Sequence, residues 1–226
     1  MKTALLIGCG SKFGLSFQKK LLSLGWTVNA ISGTPSTDSN DHLNQLVVDW
    51  KTFTVADLER FLKKQSSIDL ILFNQNSSAL SDKSFTIDSY PTVELWKQEK
   101  TWLQCYFVSC ILPFHIVHTL QNKFSSETKV AWMLSSFVHS HSNIDHADYI
   151  GNKYQNYMMM KNFSLHHPGC FFGINPCTLD SSNYQQDIDQ FIITLNQPPE
   201  LLNGRVIFFD GTTDNKFDLF VTNTGE

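Results

Sequence analysis

Arginine is nearly missing from this chain: of 226 residues only Arg60 and Arg205 carry a guanidinium, the group best shaped for forked recognition of phosphate or carboxylate. Any anion must therefore be held by Lys, hydroxyls and backbone N–H groups. Excess positive charge is lacking as well. Lys plus Arg number 17 against 21 Asp plus Glu, a net charge of −4, so there is no basic footprint and no nucleic-acid partner is expected. Cys9, Cys105, Cys110, Cys170 and Cys177 form no C-x-x-C pair, and their odd number argues for reduced thiols and a cytoplasmic setting rather than a disulfide framework. No apolar run approaches the roughly 18 residues of a membrane span. The run at residues 4–7 is too short for a signal-peptide core, so no membrane partner is expected either. With 11 Gly, 7 Pro and 42% hydrophobic residues the chain is neither collagenous nor disordered. One domain over residues 1–226 is expected.

What is present is an alternation of apolar runs with helical patterns. Ala4, Leu5, Leu6 and Ile7 form a continuous apolar strand that ends in Gly8-Cys9-Gly10-Ser11-Lys12-Phe13-Gly14, after which Leu15, Phe17, Leu21, Leu22 and Leu24 recur at helical spacing up to Gly25. Further strands are expected at residues 26–31, 46–48, 68–73, 129–134, 170–174 and 206–209. Helices are expected around the apolar face of Val55, Leu58, Phe61 and Leu62, with Asp57 and Glu59 near the start and Lys63-Lys64 near the end, over about 93–120 despite Pro113, and over 147–165. Residues 32–44 and 75–92 are polar, and residues 177–200 read as short and polar. Strands that are apolar throughout and alternate with helices predict an α/β fold, a Rossmann-like, doubly wound, parallel seven-stranded sheet with helices on both faces.

A glycine turn between the first strand and first helix presents free N–H groups and the positive helix end, where a pyrophosphate can sit. Three further features follow it in order. Asn74 closes the fourth strand in Leu72-Phe73-Asn74-Gln75-Asn76-Ser77; Ser136 follows the fifth; and Tyr149-Ile150-Gly151-Asn152-Lys153 begins thirteen residues beyond Ser136. Tyr and Lys at i and i+4 share one helix face, so an ammonium can sit by the phenol and favour its ionised form. A second Tyr-x-x-x-Lys, Tyr157 to Lys161, leaves too few residues before Pro176 for the rest of a helix and the sixth strand, and breaks the spacing from Ser136.

This ordered set resembles the short-chain dehydrogenase/reductase family. The likeness runs discontinuously over residues 4–211 and closes on Asn203-Gly204-Arg205-Val206-Ile207-Phe208-Phe209-Asp210-Gly211. The resemblance implies an NAD(P)(H)-dependent oxidoreductase interconverting a carbonyl and an alcohol, a small-molecule substrate. It implies Tyr149 as acid/base, Ser136 polarising the substrate oxygen, and Lys153 on the nicotinamide ribose. Ser109 then stands where the family has the Asn of a proton relay. Gly8, Gly10, Ser11, Lys12, Phe13, Gly14, Ser32, Thr34, Asp49, Asn74 and Pro176 would line the dinucleotide with Tyr149 and Lys153. Lys12 occupies the place of the family's second Gly, to contact a phosphate or point to solvent. Gln75-Asn76-Ser77 and Cys177 are further departures.

No acid follows the second strand. Ser32-Gly33-Thr34-Pro35-Ser36-Thr37 offers hydroxyls instead, which favours NADP(H) with NAD(H) possible. The histidines His139, His141 and His146 match no zinc spacing, and no metal is expected. The altered turn and Ser109 keep open a non-catalytic NADP(H)-binding scaffold or sensor, and more weakly a lyase or dehydratase. Apolar residues at Trp102, Phe107, Ile111 and Phe114 and at Tyr157, Met158 and Met159 predict a homodimer or homotetramer, paired as family members are through these helices.

Overall fold

The computed structural model describes residues 1–36, 38–50, 52–63, 67–75, 103, 106–134, 147–176 and 184–209. Seven strands form one parallel sheet. In chain order they are β1 (Thr3–Ile7), β2 (Thr27–Ser32), β3 (Leu43–Val47), β4 (Leu70–Phe73), β5 (Lys129–Met133), β6 (Cys170–Asn175) and β7 (Val206–Phe208), arranged in space as β3-β2-β1-β4-β5-β6-β7. The order turns back at β1, so the crevice between the β1 and β4 carboxyl ends is where a ligand finds room on such a sheet. The register Ile7↔Phe73 and Phe73↔Trp132 aligns three strand ends along that edge.

The strands are apolar on both sides because both sides are covered. Leu5, Ile7, Ile71, Phe73 and Trp132 face α2 (Val55–Leu62), α3 (Leu112–Leu120) and α4 (Ala147–His166). Ala4, Leu6, Leu70 and Leu72 face α1 (Lys12–Ser23) and α5 (Tyr184–Leu195), with Leu202 of the short α6 (Pro199–Leu202). Aromatic packing ties each layer down. Phe17 stacks on Phe191 at 4.7 Å between ring centres, and Trp132 lies 4.8 Å from Phe73 and 6.2 Å from Phe163. Burying each such ring contributes about 1.5–3 kcal/mol.

Three elements differ from the sequence expectation. The third strand begins at Leu43, ahead of the expected 46–48, because Leu43, Asn44 and Gln45 pair with Val28, Asn29 and Ala30 despite their mixed polarity. This is an edge strand, and pairing there needs no continuous apolar run. The long helix around Pro113 is interrupted by a π-turn at Phe107–Ile111, with Leu103 and Tyr106 helical before it; the widened turn precedes the proline, which enters at the start of α3, where its missing N–H costs little. Residues 93–102 of that expected helix lie outside the described residues. Within the stretch read as short and polar, α5 is a full helix whose Ile188, Phe191 and Leu195 recur at three and four residues and are buried against α1. Tyr157, expected on an outer apolar surface, is 2% exposed in the core.

Two glycines separate packing from propensity. A Cβ on Gly14 would stand 2.6 Å from the Cys9 Cα, a backbone atom that cannot give way, whereas a Cβ on Gly151 in α4 meets nothing within 4 Å. Gly14→Ala is expected to lower the unfolding free energy by about 1–3 kcal/mol through overpacking. Gly151→Ala is expected to raise it by about 0.5–1 kcal/mol through helix propensity. Urea unfolding of the two variants checks both signs.

Candidate functional site

The turn after β1 is built to bring backbone to the sheet edge. Gly8 has φ +79°, and a Cβ there would lie 2.5 Å from the Gln75 backbone, so β1 and β4 meet with no side chain between them. Gly8 N donates to the Ile31 carbonyl at 2.9 Å. Asn74 then fastens the turn: its Nδ2 donates to the Gly8 carbonyl at 3.0 Å and to Ser11 Oγ at 2.9 Å. Ser11 caps α1 by accepting from Gly14 N at 3.0 Å.

The head of α1 carries no acidic residue in its first turn, in contrast to α2, where Asp57 completes a capping box with Thr54. The positive end of α1 is thus left without a compensating side-chain charge. Gly10, Ser11 and Lys12 are exposed there, and a Cβ on Gly10 would meet Thr34 at an ordinary 3.5 Å. Phe13 is buried and anchors the helix start. The turn therefore leaves the head of α1 exposed at the carboxyl edge of the sheet.

At the end of β2, Ser32 is buried and its hydroxyl donates to the Thr34 carbonyl, while Gln45 Nε2 donates to Ser32 Oγ at 3.4 Å. Ser32 is consequently committed to the loop, and Thr34 is the exposed hydroxyl. An acid that sequence reasoning passed over, Asp38, is held against α1 by Gln18 Nε2 at 3.4 Å and by Lys19 at 3.6 Å. Asp49 is exposed after β3, and its carbonyl accepts from Thr52 N at 3.0 Å and Phe53 N at 2.8 Å. It borders a groove of about 1120 Å³ over β3 and α2, lined also by Leu46, Phe53 and Phe61. That groove lies on the flank of the sheet, away from the carboxyl ends of β4 to β6.

Those ends gather the second group of residues. Lys153 of α4 is 4% exposed and its Nζ donates to the Met133 carbonyl, the last of β5, at 2.6 Å. Burial pushes its pKa down from 10.5 to about 8. Ser109 is buried in the π-turn and Pro176 is buried directly after β6. Tyr149 lies in the first turn of α4, one turn before Lys153, and is described by its backbone alone. Ser136, His139, His141, His146 and Cys177 lie outside the described residues. The other Tyr-x-x-x-Lys copy has a different place: Tyr157 is in the core, and Lys161 donates to the Gly204 carbonyl at 3.0 Å. Among the described residues no group of three or more His, Cys, Asp or Glu could hold a metal ion, and no helix is long and apolar enough to cross a membrane.

No family model matches the sequence, and no curated protein matches it. Solved structures do match the shape. A carbonyl reductase from Pseudomonas aeruginosa PAO1 in complex with NADP superposes with a TM-score of 0.74 at 14% identity, over 95% of this chain and 99% of that one. A short-chain dehydrogenase family protein from Francisella tularensis gives 0.72 at 14% over 92% and 96%. An oxidoreductase of the short-chain dehydrogenase/reductase family from Brucella ovis, in complex with a partially ordered NAD, gives 0.69 at 15% over 92% and 98%. The fold is that of the short-chain dehydrogenase/reductases.

On this short-chain dehydrogenase fold, sequence reasoning missed Gln75 as a buried side chain and Asp38 as a partner of α1. The signal for Gln75 was its place directly after the Asn74 clamp. Lys153 also gives the fold a pH signature. Its folded pKa of about 8 lies below the ordinary 10.5, so between these values the unfolded Lys153 binds more protons and its contribution to stability rises with pH, while Cys110 and Cys170, pushed up by burial to about 11 and about 12, take stability away above about pH 9. Lys153→Met is expected to remove that rise. Urea midpoints of both proteins measured across pH 7–11 give the comparison.

Proposed function

We propose that the chain is an NAD(P)(H)-dependent oxidoreductase that interconverts a small-molecule carbonyl and its alcohol. The observation that carries this reading is the delivery of the buried Lys153 amine to the end of β5, one helical turn after Tyr149, on the same edge of the sheet as the glycine turn after β1 and separated from it by β4. The Pseudomonas carbonyl reductase complex holds NADP and the Brucella oxidoreductase complex holds NAD, which supports a dinucleotide of this kind here.

In this reading the N–H groups from Gly10 to Gly14 and the head of α1 hold the pyrophosphate. Asn74 keeps the turn in shape, Asp49 meets the adenine side, and Pro176 borders the nicotinamide side. Thr34 and Lys12, both exposed at the β2 edge and the α1 start, favour NADPH over NADH. When bound, the nicotinamide supplies or takes the hydride. The protein moves the proton: Tyr149 passes it to or from the substrate oxygen while Ser136 donates a hydrogen bond to that oxygen. The Lys153 ammonium holds the ribose and lowers the phenol pKa through its charge. Ser109 stands by the path along which that proton is replaced. The alternative, a dinucleotide-binding scaffold without turnover, is favoured by Lys12 in the turn and by Ser109 in place of the relay Asn.

Pairing of two or four copies is part of the same reading. Phe114 of α3 and Tyr154 and Met158 of α4 are exposed large apolar side chains on neighbouring helices. Light scattering at micromolar concentration is expected to give a dimer or tetramer; a monomer contradicts this.

Nicotinamide fluorescence is expected to report tighter binding of NADPH than of NADH. Tyr149→Phe is expected to lower turnover by about 10²–10⁴-fold with dinucleotide affinity kept. Ser136→Ala is expected to cost about 10²-fold. Loss of turnover in Tyr157→Phe with Tyr149→Phe unaffected assigns the chemistry to the other tyrosine, and absence of any redox turnover with intact binding leaves the scaffold.

A further inference from the structure

Among the described residues, two primary amides at the carboxyl edge of the sheet have no hydrogen-bond partner. Gln75 is 5% exposed and neither its Nε2 nor its Oε1 is hydrogen-bonded; Asn175 is 0% exposed and neither its Nδ2 nor its Oδ1 is. Native interiors rarely leave such groups unmet, and a bound water making two to four hydrogen bonds is the usual remedy.

Their places are set by register. Asn74 turns its side chain to Ser11 at the head of α1, so alternation returns Gln75 to the Phe73 side of the sheet, the side of α3 and α4. Asn175 follows Phe171 and Gly173 on that same side, in the strand beyond β5. Phe73 pairs with Trp132 and Met133 pairs with Ile174. The Met133 carbonyl that accepts from Lys153 therefore lies at the end of β5 with Gln75 leaving β4 on one hand and Asn175 closing β6 on the other. An amide both donates and accepts, as water does.

We propose, on the reading of Lys153 given above, that Gln75 is a positioning residue for Lys153, its amide joined to the ammonium through a buried water that Asn175 shares. The water gives back part of the hydration that burial takes from the ammonium, and so keeps Lys153 chargeable near neutral pH. Gln75 then has a function that its identity as Gln, rather than an apolar residue of like size, requires.

The other titratable or charged groups on the elements packed around Lys153 are Cys110 of the π-turn, His115 and His118 of α3, Lys129 of β5, Cys170 of β6, and Asp148, Tyr149, Tyr154, Tyr157, Lys161 and His166 of α4. Burial pushes Cys110 up to about 11 and Cys170 up to about 12, so both remain neutral thiols near pH 8. Lys129 begins β5, at the opposite end of the strand from Met133. None of these groups is changed by the substitutions that follow.

The test follows the Lys153 Cε resonance by carbon-13 NMR in the protein without dinucleotide, assigned by its loss in Lys153→Met. The expected wild-type midpoint is about 8. Gln75→Leu removes the amide and is expected to lower the midpoint by about one pH unit, a tenfold change in the ionisation constant; Gln75→Glu adds a negative charge and is expected to raise it by about as much. Asn175→Asp is expected to move it upward too, and gives a second reading should Gln75→Leu fail to fold. Midpoints that stay put in all the folded variants, or that move the same way in Gln75→Leu and Gln75→Glu, overturn the proposal. If the midpoints move in opposite directions while Lys153→Met leaves NADPH affinity unchanged, Gln75 keeps its role and the dinucleotide role of Lys153 falls.

Discussion

Among the described residues, the tightest approach of a glycine to neighbouring backbone is that of Gly8 to Gln75, whose backbone lies 2.5 Å from where a Cβ would stand. Everything at the carboxyl edge of the sheet depends on that contact. It lets the chain leave β1 with positive φ, turn sharply beside β4, and start α1 with its N–H groups directed at the edge. Asn74 reads the same contact from the other strand, holding both the Gly8 carbonyl and the Ser11 cap. A larger residue at position 8 would part β1 from β4 and carry the head of α1 away with it.

The two faces of the sheet then divide the labour. On one, α1 with the buried Phe13, Phe17 and Leu21 packs beside Phe191 and keeps the turn rigid. On the other, Tyr157, Met160 and Phe163 seat α4 on the apolar layer around Trp132, and this seating delivers Lys153 to the Met133 carbonyl. An amine is tolerated there because its hydrogen bond partly offsets lost hydration, and the depressed pKa records the remainder. The proposed chemistry needs both halves: an anion-holding turn from one layer and a cation at the strand ends from the other.

Most of this architecture was legible in the residues, and for identifiable reasons. Ala4 to Ile7 and Leu70 to Phe73 are apolar at every position because both of their faces are covered, and a parallel sheet follows from such runs alternating with helices. Lys153 was legible through its spacing from Tyr149. The edge strand β3 was less so, since an edge needs neither apolar face fully and Asn44 and Gln45 weaken the pattern. The π-turn was hidden because it is a backbone adjustment ahead of Pro113 with no side-chain period of its own. Helix α5 was masked by the polar run that leads into it, although Ile188, Phe191 and Leu195 carried the period. Gln75 and Asn175 could not be found by pattern, because what distinguishes them is burial without a partner, a property of the packed state alone.

The central claim, that this site transfers hydride between a nicotinamide and a carbonyl carbon, is tested most directly by following the label. The protein is mixed with NADPH deuterated at C4 of the nicotinamide, on either face in separate experiments, and with a panel of aldehydes and ketones; the alcohols are analysed by mass. The account predicts a product one mass unit heavier from one of the two faces only, since a fixed site presents a single face to the substrate. Saturable binding of NADPH with no deuterium in any product contradicts it.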